Sequence, residues 1–143
     1  MSGDEILMTD TGSLGPIDAQ MIIGRSQISA YDYTNWVEEK RIEKAIDCIK
    51  KNYSNPDFKI SNLATVMNMS EKHFRRIFLD VYNKTPYLFL QEFRINKAEI
   101  LLLNTAKSIS DIALQCGFSD VYSFSHSFKK HSGISPSEYR TKF

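Results

Sequence analysis

Residues 109 to 140 read ISDIALQCGFSDVYSFSHSFKKHSGISPSEYR. Ile109, Ile112, Ala113 and Cys116 recur at steps of three and four residues, which puts them on one face of a helix. Ser108 supplies the side-chain oxygen that a helix N-terminus needs for its unpaired N–H groups, and Gly117 stops the helix. Asp120 then caps a longer helix that carries Val121, Phe124 and Phe128 as far as His131. Gly133 ends it, and Ser135-Pro136 opens a last helical turn containing Tyr139. Two helices joined through Gly117-Phe118-Ser119 have the turn length of a helix-turn-helix, with Phe118 as the plug of the corner.

The same pattern occurs earlier in the chain. Leu63-Ala64 reappears as Ile112-Ala113 and Ser70 as Ser119, each 49 residues on. After a one-residue insertion, Phe74, Phe78 and Thr85-Pro86 match Phe124, Phe128 and Ser135-Pro136 at a spacing of 50. In this first copy a short helix fits 60–67, with Ser61 as its cap and Leu63, Ala64 and Met67 facing inward. Asn68-Met69 make the turn, with Met69 at the corner, and Ser70 caps a helix over 71–82 whose apolar face is Phe74, Ile77, Phe78 and Val81. Between the copies Thr85-Pro86 opens a long helix over 86–103, since proline at the first helical position gives up an N–H that has no partner anyway. Leu88, Phe89, Phe93, Ile95, Ala98, Leu101 and Leu102 make that helix apolar on more than one side, so it can pack against two bodies at once. Any helical domain can contain two similar hairpins, but here caps, corners and core positions agree together.

Upstream, Ile42, Ala45, Ile46 and Ile49 place a further apolar stripe on a helix over 34–52, with Trp36 and Val37 near its start and Asn52 to Pro56 ending it. The expected class is therefore all-α, about seven helices, with two helix-turn-helix subdomains (60–82 and 109–131) joined by a linker helix (86–103) inside a domain over 34–143. Residues 1–33 hold Gly3, Gly12, Gly15-Pro16 and Gly24 among short polar runs without periodicity. They read equally as a linker or tail, the stub of a further domain, or a cloning remnant. Tyr31, Tyr33 and Trp36 are either a docking patch or part of the core and linker.

The net charge of +1 conceals an asymmetry: residues 1–39 hold one basic residue against seven acidic ones, −6, while residues 40–143 hold 17 against 10, +7. The basic hundred residues suit an anionic partner. A 42% hydrophobic content suffices for an ordinary core without staples. Cys48 and Cys116 lie far apart and read as buried thiols of a reducing compartment rather than as a disulfide or a zinc site. No apolar run approaches the ~18 residues of a membrane span and no secretory signal is visible, so a cytoplasmic location is expected. No cofactor or metal is expected. His73, His126 and His131 belong to no metal or catalytic pattern, no phosphate-binding glycine loop is present, and no nucleophile has a base nearby, so the chain reads as a non-enzyme.

Over residues 40–143 the sequence resembles the DNA-binding domain of the AraC/XylS family of bacterial transcription regulators. The segment from Ile109 to Arg140 is similar to that family's C-terminal signature nearly position for position. Leu63-Ala64, Met69-Ser70, Phe78, Thr85-Pro86, and Arg94 with Ala98 resemble its first unit and linker helix. The resemblance implies two helix-turn-helix units on a rigid helix, reading an asymmetric double-stranded DNA site as a monomer and regulating transcription, with RNA polymerase a candidate partner. It leaves no room for the long sensory domain that many relatives carry, so the chain is either a stand-alone regulator or the output end of a larger sensor or two-component protein.

A recognition helix must present polar side chains on the face opposite its core stripe. In the first unit that face is Lys72, His73, Arg75 and Arg76, and the two arginines suit guanine O6 and N7 best. In the second it is Val121, Tyr122, Ser125 and His126, with Ser123 beside them, a less polar set without a bidentate fork. Phosphate contacts are expected from Lys129 and Lys130, from helix starts near Ser70, Ser108 and Ser119, and from Lys107 and Arg140. The alternative for each cation is a solvated helix face. An 18-residue linker helix would be about 27 Å long at ~1.5 Å per residue. Successive major grooves lie roughly 34 Å apart, which predicts a site of about 20 base pairs and favours bent DNA. The competing reading is a helical protein-interaction module, whose binding would lack the steep salt dependence of a DNA complex.

Overall fold

Among the residues that the computed structural model describes, 29–143, seven helices and no strand are found: α1 Ala30–Asn52, α2 Ile60–Val66, α3 Glu71–Tyr82, α4 Pro86–Asn104, α5 Ile109–Gln115, α6 Val121–Ser132 and α7 Pro136–Lys142. The all-α expectation holds. All of the tail expected over 1–33, apart from its last five residues, lies outside the described residues.

α1 begins at Ala30, four residues before the start expected at residue 34. Ser29 is the reason: its Oγ accepts the N–H of Asp32 at 3.0 Å and its carbonyl accepts the N–H of Tyr33 at 3.0 Å, which caps a polar first turn that periodicity cannot reveal. Within this leading stretch the Tyr33 and Trp36 rings stack at 6.2 Å, and both are exposed. A boundary at Glu38 separates it from the compact unit Glu39–Phe143.

That unit contains two hydrophobic cores. The first gathers Ile42, Ala45, Ile46 and Ile49 of α1, Leu63 and Ala64 of α2, Phe74, Ile77 and Phe78 of α3, and Leu90 of α4. The second gathers Ile95, Ala98 and Leu102 of α4, Ile112 and Ala113 of α5, Cys116 and Phe118 of the turn, and Phe124 and Phe128 of α6. α4 thus gives its N-terminal half to one core and its C-terminal half to the other, which explains why its apolar residues do not lie on a single stripe. Edge-to-face and tilted aromatic pairs knit each core: Phe78 with Phe89 at 5.6 Å and with Tyr82 at 5.1 Å, and Phe128 with Tyr139 at 5.3 Å.

The caps follow the chemistry of the chain. Ser70, Thr85, Ser108, Asp120 and Ser135 each accept the N–H three residues on, and Ser135 with Glu138 completes a reciprocal capping box. Ser61 does not cap α2. The helix starts one residue earlier, on Lys59 in extended conformation and without a side-chain cap. Val81 is 39% exposed rather than part of the core, because the last turn of α3 has passed the edge of the packed surface and Tyr82 takes the contact instead.

The repeat extends to backbone conformations. Asn68 and Gly117, 49 residues apart, both have positive φ (60° and 91°), as do Asn83 and Gly133 (59° and 85°) at a spacing of 50. The hydrogen bonds match as well: Met69 N–H donates to Ala64 O at 2.9 Å and Phe118 N–H to Ala113 O at 3.0 Å. Asparagine tolerates the left-handed region better than other side chains and glycine adopts it freely, so both residue types serve at the same position.

Candidate nucleic-acid interface

α3 and α6 are the second helices of the two helix-turn-helix units, each held from behind by two phenylalanines one turn apart: Phe74 and Phe78, Phe124 and Phe128. With those rings fully buried, the opposite faces must point outward. On α3, Lys72, Arg75 and Arg76 are exposed and His73 is half-buried. Arg75 Nη2 lies 3.3 Å from Glu71 Oε2, and Arg76 Nη2 lies 2.9 Å from His73 Nδ1. Both pairs join side chains one turn apart on the outward face of a single helix, where solvent screens them, so each pairing is weak and readily exchanged.

On α6, Val121 and Tyr122 are exposed (41% and 78%), His126 is exposed and Ser125 half-buried. The Tyr122 and His126 rings stack at 6.4 Å, forming a short aromatic ridge. Ser123 belongs to the helix cap: its N–H donates to Asp120 Oδ1 at 2.7 Å and its hydroxyl to Asp120 Oδ2 at 3.3 Å.

The residues expected at phosphates divide into two groups. Lys107, Lys129 and Lys130 are exposed. Ser70 and Ser108 are exposed at the starts of α3 and α5, where their hydroxyls accept the N–H of His73 and of Asp111. Ser119 is also exposed, next to Asp120, whose carboxylate caps the start of α6. Arg140 is turned inward. Its Nε donates to Leu102 O at 3.1 Å and its Nη2 to Thr105 O at 3.2 Å, so its fork is committed to the C-terminal end of α4.

A second arginine of this kind is Arg94, which the sequence marks only as a match to the family's linker helix, without its partners. Arg94, 8% exposed, donates from Nε to Tyr53 O at 2.8 Å and from Nη2 to Asn55 O at 3.1 Å, and its Cζ lies 5.9 Å from the centre of the Phe118 ring. Burial pulls its pKa below the ordinary guanidinium value, against the opposing influence of Tyr87 and Cys116. Its partners are backbone carbonyls about 40 residues away, for which sequence carries no local signal. Cys116, fully buried, has its thiol pushed up to about 11 by burial, with Arg94 and Lys97 pulling it back. Among the described residues no cluster of His, Cys, Asp or Glu could hold a metal ion, and no helix is long and apolar enough to cross a membrane.

Residues 63–142 match the family described as a helix-turn-helix domain. The HTH-type transcriptional activator RhaR of Mannheimia succiniciproducens is 32% identical over 103 residues, 72% of this chain and 37% of the relative. Among solved structures, the C-terminal domain of the two-component response regulator yesN from Fusobacterium nucleatum superposes with a TM-score of 0.68 at 31% identity, covering 71% of this chain and 98% of that one. The DNA-binding domain of the global transcriptional factor AdpA, solved in complex with a target DNA, gives 0.64 at 25% identity, covering 73% and 90%. The chain spans little more than a third of the length of the curated relatives it matches.

Proposed function

The chain belongs to the AraC/XylS family of helix-turn-helix transcription regulators, and from that premise we propose that residues 39–143 read one asymmetric duplex site, with α3 and α6 in successive major grooves. The observation that carries this reading is the repeat itself: two copies of one unit, each turning a helix face outward, within residues 40–143, which carry a surplus of seven positive charges. Lys72, His73, Arg75 and Arg76 read the first half-site, Arg75 and Arg76 offering the forks that suit guanine. Val121, Tyr122, Ser125 and His126 read the second, where Val121 meets a thymine methyl and the aromatic ridge packs on sugar or base edges. Lys107, Lys129, Lys130 and the helix starts at Ser70 and Ser108 hold phosphates and fix the register. Ser119 is a further phosphate contact at the start of α6, whereas Ser123 and Arg140 are left out because their donors are engaged in the protein's own structure.

A 19-residue α4 spans about 28 Å at ~1.5 Å per residue. This falls short of the roughly 34 Å groove repeat, so the bound duplex bends toward the protein. The domain binds as a monomer, works in the cytoplasm and has RNA polymerase as a partner in regulation.

The test is selection of bound sequences from a random duplex pool. It is repeated with Arg75→Ala and Arg76→Ala together and with Lys129→Ala. An asymmetric motif of about two groove turns is expected. The arginine pair loosens one half only, by about 1–3 kcal/mol per lost base contact. Lys129→Ala weakens all sequences alike and lowers the salt slope by about one. Failure to recover any motif at low salt overturns the reading.

A further inference from the structure

Two cores that share one helix would be free to hinge about it, since α5, α6 and α7 pack on one another and on α4, while α2 packs on α3 and α3 on the N-terminal half of α4. The place where the halves meet is built from Arg94, Gly117 and the loop after α1. Arg94 leaves α4 between the two cores and donates to Tyr53 O and Asn55 O, both in the loop of the first half. Its other side lies against Phe118, the corner plug of the second half. Gly117, next to Phe118, comes so close to that loop that a Cβ on it would stand 2.1 Å from Tyr53 O and 2.8 Å from Arg94 Nε. Lys97, one turn along α4, covers the same spot with its Nζ 5.9 Å from the Tyr53 ring and 5.4 Å from Phe93. A buried cation fastened to carbonyls of one half and to the turn of the other is costly to place and stable in only one arrangement. Phe118 also packs on Phe124 of α6 at 5.2 Å, so the junction reaches the second reading helix through a single ring.

We propose that Arg94, seated on Tyr53 O, Asn55 O and Phe118 beside Gly117, is a latch that fixes the angle between α3 and α6 and thereby the half-site spacing the protein accepts. Arg94 is a positioning residue that does not touch DNA, and the spacing consequence rests on the two-groove reading above. Arg140 supplies an internal control, because it makes the same pair of carbonyl bonds entirely within the second half.

The experiment compares the full chain, Arg94→Met, Arg94→Lys and Arg140→Met. Backbone residual dipolar couplings of the DNA-free protein report relative orientation. In the parent chain and in Arg140→Met, one alignment tensor fits residues 39–90 and 95–143 together. In Arg94→Met the two halves need tensors of different magnitude. Dispersed amide spectra establish folding, and if Arg94→Met does not fold, Arg94→Lys, which keeps the charge and loses the fork, is read by the same criterion. The selected DNA site is then lengthened by one base pair between its halves, which turns them by roughly 35° and parts them by about 3.4 Å. The parent loses about tenfold or more in affinity, comparable to a mismatch, and the Arg94 variant less than about threefold. A single tensor in the Arg94 variants overturns the latch. Split tensors without any DNA binding uphold the latch and overturn the two-groove reading instead.

Discussion

Gly117 and Gly133 occupy equivalent places in backbone conformation but different surroundings, and the contrast between Gly117→Ala and Gly133→Ala isolates the packing of the junction. Both have φ in the left-handed region, 91° and 85°, where a Cβ costs roughly 1–2 kcal/mol from local sterics alone. At Gly133 nothing lies within 4 Å of the added Cβ, so that cost is the whole effect. At Gly117 the Cβ would meet Tyr53 O at 2.1 Å, and restoring van der Waals separation requires the turn and the loop to part by more than about 1 Å. Such a movement breaks the Arg94 bonds to Tyr53 O and Asn55 O, and hydrogen bonds from a charged donor contribute about 1.5–3 kcal/mol each. The expected losses are therefore about 1–2 kcal/mol for Gly133→Ala and about 4–8 kcal/mol for Gly117→Ala, the latter a large part of the ~5–15 kcal/mol of a typical domain. Urea unfolding followed by circular dichroism measures both. Equal midpoints for the two variants would mean that the close approach at Gly117 contributes nothing.

Cys116 makes an alkaline prediction. A thiol whose folded pKa is raised, here to about 11, gives stability that is complete below the unfolded thiol range and lost as pH rises from about 9 through 11. Stability measured against pH should fall in that window, and Cys116→Ala should remove that part of the fall while leaving the contribution of Tyr53, Tyr82 and Tyr139, which burial raises from the ordinary phenol value, in place. At neutral pH a thiol-alkylating reagent should modify the half-buried Cys48 first, with Cys116 reacting only on unfolding; equal rates would contradict the burial. Phe124→Ala opens a cavity between Phe118 and Phe128 and should cost about 3–5 kcal/mol, with amide shift changes concentrated in the second core; a spread through the first core would show that the two are not separate.

What the sequence displayed was what local chemistry determines. Ser70, Thr85, Ser108, Asp120 and Ser135 cap helices because a short side chain with an oxygen reaches its own third amide, and the phenylalanine pairs of α3 and α6 face inward because a helix brings residues four apart onto one side. The outward faces followed by elimination. The capping bonds of Ser123 and the pairing of Arg76 with His73 depended on rotamers that periodicity does not specify. Lys59 at the start of α2 carries no capping bond, so a neighbouring serine drew the boundary instead. Arg94 and Arg140 were illegible for a deeper reason: an arginine donating to carbonyls 41 and 38 residues away is indistinguishable in sequence from a surface cation. Only the repeat held a hint, since Asn68 and Asn83 align with Gly117 and Gly133 and mark the turns where the backbone goes left-handed.

Hydroxyl-radical footprinting of the purified protein on a selected site tests the central claim most directly. Two protected patches are expected on one face of the duplex about 10 base pairs apart, of unequal sequence, at one chain per site; Lys129→Ala should weaken both patches equally. A single patch, or two patches related by a palindrome and requiring two chains, would contradict a reader that uses α3 and α6 of the same molecule.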